Sequence, residues 1–144
     1  MFKTYKGKFI PKNPNKYLGD PNNIIYRSSW ELKVFVRMDT DPNIIKWASE
    51  EFSIPYINPI DNRPHKYYPD VYAENSKGQK FVIEIKPEKQ TQPPKKPSRN
   101  SKRYITEVST YMINKAKWNA AEVFCTKQGW TFKIATERDL GIIF

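Results

Sequence analysis

The strongest constraint on the fold lies between residues 67 and 86, where two apolar runs flank a short polar segment. Residues 67–72 read Tyr-Tyr-Pro-Asp-Val-Tyr, and residues 81–86 read Phe-Val-Ile-Glu-Ile-Lys. Residues 74–79 between them are polar and include Gly78, which tolerates the positive φ that hairpin turns often require. We therefore predict two antiparallel strands joined by a turn.

Alternation along the second predicted strand separates its side chains onto two faces. The three apolar odd-numbered residues point to one face, whereas Glu84 and Lys86 share the other face with Val82. A hairpin would bring Asp70 to the same edge of the sheet. Two carboxylates and one lysine are therefore predicted to converge.

This group of side chains suits the hydrolysis of a phosphodiester. Two carboxylates can hold Mg²⁺ or Mn²⁺, and Mg²⁺ keeps several waters and accepts phosphate oxygens. A bound metal ion activates water and polarises the phosphate, while Lys86 would orient the water, deprotonate it or neutralise developing charge. The alternative from these residues alone is a solvated Glu–Lys pair, which contributes at most about 1 kcal/mol.

An excess of positive charge indicates a polyanionic partner. The 144 residues include 25 Lys and Arg against 15 Asp and Glu, which gives a formal net charge of +10. Nucleic acid is favoured over a membrane surface. No apolar run approaches the length of about 18 residues that marks a membrane span, and one cysteine, Cys125, allows no internal disulfide.

The length predicts one domain, residues 24–144, preceded by a basic arm, residues 1–23. Pro11, Pro14 and Pro21 disfavour a regular strand or helix in the arm. Its aromatic residues predict partial packing on the domain, which leaves its lysines available for phosphates.

A first helix is predicted from Ser28 or Ser29, both good N-cap residues, to about Met38. Glu31 falls in its first turn. There, a carboxylate also stabilises the helix through the dipole of its N-terminus. From these residues alone, Glu31 is either a site residue or a helix-start residue.

Residues 87–103 form a second basic segment directly after the predicted strand of Glu84 and Lys86. They contain four prolines and six basic residues, and we predict a flexible loop that lies over DNA. A solvated run of like charge is the alternative. The candidate DNA-binding side chains of the two basic segments are Lys6, Lys8, Lys12, Lys89, Lys95, Lys96, Arg99, Lys102 and Arg103.

A long helix is predicted from Tyr104 to about Lys127, and Gly129 is its predicted stop. Apolar residues at spacings of three and four predict the stripe that faces the core. This stripe consists of Ile105, Val108, Met112, Ala116, Ala120 and Val123. Residues 44–56 predict two short strands or one bent strand, and residues 130–134 alternate as a further strand. The order of these elements along the chain indicates an α/β fold with a mixed sheet flanked by helices.

The motif formed by Pro69-Asp70 and Glu84-Ile85-Lys86 resembles that of the PD-(D/E)xK nuclease superfamily. That superfamily also carries an acidic residue on a preceding helix, which matches Glu31. Along nearly its whole length the chain is similar to the head completion nuclease family of T-even-like tailed phages. It is more distantly similar to the endonuclease subunit of heteromeric transposases.

The resemblance implies a restriction-endonuclease-like fold and a Mg²⁺-dependent endo- or exonuclease. Its substrate would be packaged double-stranded DNA, processed during head completion and head–tail joining. Asp70, Glu84 and the Ile85 carbonyl would bind the metal, Lys86 would serve the water and the transition state, and Glu31 would hold a metal-bound water. The protein would act in the host cytoplasm during virion assembly or stay with the virion, with phage portal or neck proteins as partners.

Two other functions fit the same sequence. A neck or connector protein could use the basic segments to bind DNA or portal without cutting, although the presence of Asp70, Glu84 and Lys86 argues against it. A transposase-type or restriction-type endonuclease would share the chemistry and differ only in its biological setting.

Overall fold

The computed structural model describes residues 6–139, so the first five residues of the predicted arm and the last five of the predicted domain lie outside it. The strands are β1 (Gly7–Phe9), β2 (Ile24–Tyr26), β3 (Ile44–Ala48), β4 (Ile54–Asn58), β5 (Arg63–Tyr67), β6 (Val71–Asn75), β7 (Lys80–Ile85) and β8 (Thr131–Ala135). Helix α1 (Ser29–Thr40) lies between β2 and β3, and helix α2 (Lys102–Gln128) lies between β7 and β8.

A four-stranded mixed sheet, in the order β3-β6-β7-β8, forms the centre of the fold. β3, β6 and β7 are antiparallel neighbours, whereas β8 runs parallel to β7 because α2 connects them. α1 packs its apolar side chains against one face of this sheet, and α2 packs against the other face. The pairs β1–β2 and β4–β5 form two small sheets beside it. The predicted α/β fold with a mixed sheet flanked by helices is confirmed.

The face under α1 is closed by a cluster of aromatic and aliphatic side chains. Phe35 from α1 and Trp47 from β3 are both fully buried, with ring centroids 5.2 Å apart. Val71 and Ile85 join the cluster from β6 and β7. The helix begins as predicted, because the Ser28 hydroxyl caps it.

The chain between β5 and β6 differs from the predicted strand over residues 67–72. Tyr67 ends β5 and Val71 begins β6. Residues 68–70 therefore cross from the β4–β5 pair, called the outer pair below, to the central sheet. Pro69 cannot donate to a ladder, which explains the break. β6 and β7 form the predicted antiparallel hairpin, and Gly78 in its turn has a φ of 79°.

The N-terminal segment is more regular than its prolines predicted. It contains β1, paired with β2, and a 3-10 turn over Pro14–Lys16. The Asp39 carboxylate at the end of α1 accepts hydrogen bonds from the backbone N–H groups of Lys12 and Asn13, at 2.8 and 3.0 Å. The prediction of no strand or helix is therefore wrong for residues 7–9 and 14–16, because α1 and β2 supply partners for this backbone.

Lys16 of the same segment is a structural residue. Its ammonium donates to the carbonyls of Asp39 and Asp41 at the C-terminal end of α1, both at 2.9 Å. Cations at this position satisfy the free carbonyls of a helix. The expectation that every lysine of the arm is available for phosphate is thus wrong for Lys16.

The stripe with which α2 faces the core agrees with the predicted one only in part, because Ala116 and Ala120 pack against the core while other members of the predicted stripe are exposed. Its buried residues are Asn114, Trp118, Ala121 and Cys125. Ile105, Met112 and Val123 of the predicted stripe are 59%, 44% and 55% exposed. Apolar residues occur on two sides of this helix, and packing against β4 and β8 selects the side with the Trp118 ring. Within residues 6–139, neither helix has the length and apolarity needed to cross a bilayer.

Candidate active site

Asp70, Glu84 and Lys86 lie together at one end of the central sheet. Asp70 ends the crossing that precedes β6, and Glu84 lies in β7. Lys86 follows β7 and extends its parallel pairing, because its backbone N–H donates to the Ala135 carbonyl at 3.0 Å. The hairpin thus places the three side chains at the same end of the central strands.

The Glu84 carboxylate is buried between two partners. Only 6% of the residue is exposed. Its Oε1 accepts a 2.6 Å hydrogen bond from the Tyr67 hydroxyl, and its Oε2 lies 3.9 Å from the Lys86 ammonium. A carboxylate in the interior needs such partners. The ammonium also balances part of its charge.

Tyr67 is the member of this group that the sequence reasoning missed. Burial, and then the negative charge of Glu84, raise the pKa of its hydroxyl, so the group remains a hydrogen-bond donor. The available signal was its position three residues before Asp70. That signal is weak without knowledge of the crossing between the sheets.

Asp70 is held beside the end of β7 by the backbone. Its Oδ2 accepts a 2.7 Å hydrogen bond from the Ile85 N–H. Burial raises the pKa of the Asp70 carboxyl well above its ordinary value, and the charges of Glu84 and Glu31 raise it further. The Ile85 N–H and the Lys86 ammonium oppose this rise only in part. Ionised Asp70 is therefore poorly compensated by the protein alone.

Glu31 lies in the first turn of α1, where it also serves the start of the helix. Its Oε1 accepts a 3.2 Å hydrogen bond from the Arg27 N–H, and its own N–H donates to the Ser28 hydroxyl at 3.1 Å. This exchange is similar to a capping box. Burial raises the pKa of Glu31, and the charges of Glu50 and Glu84 add to the rise. Glu31 thus stabilises the start of the helix, and its carboxylate also interacts electrostatically with Glu50 and Glu84.

Glu50 flanks the site from the turn after β3. It has a left-handed backbone, with a φ of 53°, and its carboxylate forms an ion pair with Arg27. Its N–H donates to the Pro69 carbonyl at 3.2 Å, directly before Asp70. The turn is therefore tied to the crossing that presents Asp70.

The donors at this site suit a hard divalent cation. Within residues 6–139, no three His, Cys, Asp or Glu side chains are close enough together to hold a metal ion by themselves. Mg²⁺ does not need such an enclosure, because one or two carboxylates, waters and substrate phosphates usually complete its six positions. No hydrogen-bond donor in the described chain is assigned to Asp70 Oδ1 or Glu84 Oε2. Each carboxylate therefore keeps one oxygen that could face a cation.

All nine candidate DNA-binding side chains are exposed.

The prediction that residues 87–103 lack regular structure is wrong at both ends. A 3-10 turn over Glu88–Thr91 follows β7, and Glu88 forms a 2.9 Å ion pair with Arg138. Lys102 and Arg103 belong to the first turn of α2, because Ser101 caps that helix.

Replacing Asp70 by asparagine should stabilise the metal-free protein, and the gain should grow with pH. The folded-state pKa of this carboxyl is raised, so its contribution to stability is present at low pH and is lost as pH rises through the folded pKa. Asparagine cannot ionise and keeps an oxygen for the Ile85 N–H. Melting temperatures in EDTA from about pH 5 to about pH 8 should therefore fall for the wild type relative to Asp70→Asn.

Asp41→Asn is the matched control. Hydrogen bonds from the Asn43 N–H and from Arg37 lower the pKa of Asp41, so this carboxyl stays ionised across the range. The difference in melting temperature between Asp41→Asn and the wild type should not change with pH. Parallel curves for Asp70→Asn and the wild type would show that Asp70 carries no such penalty.

Two comparisons with known proteins identify the family of this chain. Residues 41–137 match the family described as TnsA-like endonuclease N terminal. Over 141 residues the chain is 44% identical to the head completion nuclease of Enterobacteria phage T4, with 95% of this chain and 94% of that protein covered. The resemblance inferred from the sequence is confirmed: the chain belongs to the TnsA-like endonuclease family and to the head completion nucleases of phages.

Proposed function

We propose that this protein is a metal-dependent nuclease that hydrolyses phosphodiester bonds in packaged double-stranded DNA before the phage head joins the tail. The observation that carries this proposal is the placement of Asp70, Glu84 and Lys86. Their charged groups lie at one end of the central sheet, with Glu84 Oε2 only 3.9 Å from the Lys86 ammonium. Membership of a nuclease family makes phosphodiester hydrolysis the chemistry that this group would serve.

Asp70, Glu84 and the Ile85 carbonyl would hold Mg²⁺ or Mn²⁺. When bound, the ion supplies an activated water and a polarised phosphate. The charges support this assignment, because burial and the repulsion of Glu84 and Glu31 raise the pKa of Asp70. A divalent cation would relieve that repulsion.

Lys86 would act directly on the substrate. Its side chain is 27% exposed, so the ammonium can reach a phosphate oxygen while it stays near Glu84. A fixed cation here would orient the attacking water and stabilise charge that develops in the transition state. Glu31 would accept a hydrogen bond from a water on the metal through the oxygen that does not bind Arg27.

The exposed basic side chains before β2 and after β7 would bind the DNA backbone. Lys89 lies three residues beyond Lys86, so a phosphate contact there would place the duplex next to the site.

The protein would act in the host cytoplasm during virion assembly or remain in the virion, with portal or neck proteins as partners. A neck protein that only binds DNA would have no use for the buried Glu84 and its partners.

Cleavage of supercoiled plasmid DNA tests the proposal. The wild type should cut with Mg²⁺ or Mn²⁺ and stop in EDTA, whereas Asp70→Ala and Glu84→Ala should not cut. Lys86→Ala should lose about 10²–10³ in single-turnover rate, because one positioned charge is removed. Lys86→Arg should not recover it, since a planar guanidinium replaces a compact ammonium.

Lys77→Ala is the matched control for loss of one lysine. Lys77 lies in the exposed turn between β6 and β7, at the opposite end of these strands. It should cut at the wild-type rate. Undiminished cutting by both carboxylate variants would contradict the site, and DNA binding without cleavage under any metal would favour the neck protein.

Glu31→Gln should raise the metal concentration needed for half-maximal cutting by about 10–100-fold, as expected when a group that orients a metal-bound water is weakened. Some activity should remain at saturating Mn²⁺. Glu107→Gln on the exposed part of α2 is the control. A metal titration that overlaps the wild type, with only a lower melting temperature, would leave Glu31 a helix-start residue.

The triple variant Lys95→Gln, Lys96→Gln, Arg99→Gln should bind DNA more weakly and with a lower salt dependence. Three lost phosphate contacts should reduce the slope of log affinity against log salt by about 2.7. The control replaces Lys46, Lys77 and Lys127, three exposed residues towards the other end of the sheet. Equal slopes for the two variants would assign residues 95–99 to solubility or to a protein partner.

A further inference from the structure

Tyr67 occupies a fixed position between the outer pair of strands and the central sheet. It is the last residue of β5, where it pairs with Ile54, and it is only 4% exposed. Its ring belongs to a cluster with Ile54, Tyr56 and Ala121 of α2. The three residues that follow it cross to β6 and end with Asp70. One short segment therefore carries both this ring and a proposed metal ligand.

The Lys117 side chain of α2 lies against the same ring. Its ammonium is 5.9 Å from the ring centroids of Tyr67 and Tyr56, within the range of cation–π attraction. Neighbours from β4 and α2 thus pack around the Tyr67 side chain. A ring restrained in this way can hold its hydroxyl at a set point.

The hydroxyl makes the two oxygens of Glu84 unequal. It donates to Oε1 at 2.6 Å, a short distance that is typical of strong hydrogen bonds to a carboxylate. Oε2 is left on the side of the Lys86 ammonium, 3.9 Å away. A carboxylate fixed through one oxygen can offer the other to a cation without first losing rotational freedom.

We propose that Tyr67 is a positioning residue, which holds Glu84 through Oε1 so that Oε2 is presented to the metal ion. This inference rests on the proposed function of Glu84. It assigns Tyr67 no contact with substrate. Its effect passes through one hydrogen bond, in the way that partners of metal ligands set ligand orientation.

A purely structural role is the competing explanation. Tyr67 could donate to Glu84 only because a buried hydroxyl and a buried carboxylate both need partners. The chain provides a matched pair for comparison on the central sheet, where the Tyr72 hydroxyl donates to Glu74 at 2.9 Å. Tyr72 is also buried, so Tyr72→Phe removes a similar bond from a carboxylate with no proposed metal.

Binding of Mn²⁺ to the protein without DNA, followed by calorimetry, separates the two roles. Tyr67→Phe should raise the Mn²⁺ dissociation constant by about 10–100-fold, whereas Tyr72→Phe should leave it unchanged. Melting temperatures of both variants report any structural cost. A wild-type dissociation constant for Tyr67→Phe would overturn the inference, whatever its melting temperature.

A double-variant cycle tests whether Tyr67 acts through Glu84. With Glu84→Gln already present, Tyr67→Phe should weaken Mn²⁺ binding no further. A further loss of the full size would show an independent effect and would overturn the inference. An unchanged dissociation constant for Glu84→Gln alone would instead overturn the metal site of the proposed function.

A measurement on the wild type does not depend on how well a variant folds. The Tyr67 hydroxyl proton, assigned by NMR through its absence in Tyr67→Phe or by selective labelling, should exchange slowly with solvent. It should persist when Mg²⁺ is added, because the metal uses Oε2. Loss of the signal on addition of Mg²⁺ would mean that the metal takes Oε1, and the inference would be wrong.

Discussion

Negative charge buried at the end of β7 is the constraint around which this end of the molecule is built. Glu84 is 6% exposed, and burial next to Glu84 raises the pKa of Asp70. Donors from separate parts of the chain limit the cost: the Tyr67 hydroxyl, the Ile85 N–H and the Lys86 ammonium. Together they carry one positive charge, so compensation stays incomplete. A divalent cation bound here, as the proposed function requires, would remove that deficit.

The site draws on elements from both faces of the sheet. α1 supplies Glu31 from the face closed by Phe35 and Trp47, while the outer pair and α2 supply the surroundings of Tyr67. The basic segment then leaves β7 within a few residues of Lys86. Three residues span at most about 10 Å, and the 3-10 turn over Glu88–Thr91 shortens this distance, so a phosphate bound near Lys89 and one near Lys86 would lie within the same stretch of duplex.

Local patterns made parts of this arrangement predictable. The alternation in β7 placed Glu84 and Lys86 on one face, and the Ser28 hydroxyl located the start of α1. The contact between Tyr67 and Glu84 was hidden, because β5 and β7 belong to different sheets and no local pattern shows that the two strands lie side by side there. The core side of α2 was hidden too. Apolar residues on two sides gave no local reason to prefer Trp118 over Met112, and tertiary packing decided it.

The Asp39 carboxylate ties the segment before β2 to the end of α1, so the folded unit extends beyond the residues that match the TnsA-like family. The family match starts at residue 41, yet Asp39 binds the backbone of Lys12 and Asn13, and Phe9 and Tyr17 pack edge-on against Trp47. A polypeptide trimmed to the matched residues would lose α1 and leave the Trp47 side of the sheet open to water, as an aggregation-prone surface. The match to the TnsA-like family therefore begins inside the folded unit, whereas the similarity to the phage T4 protein extends over the N-terminal region.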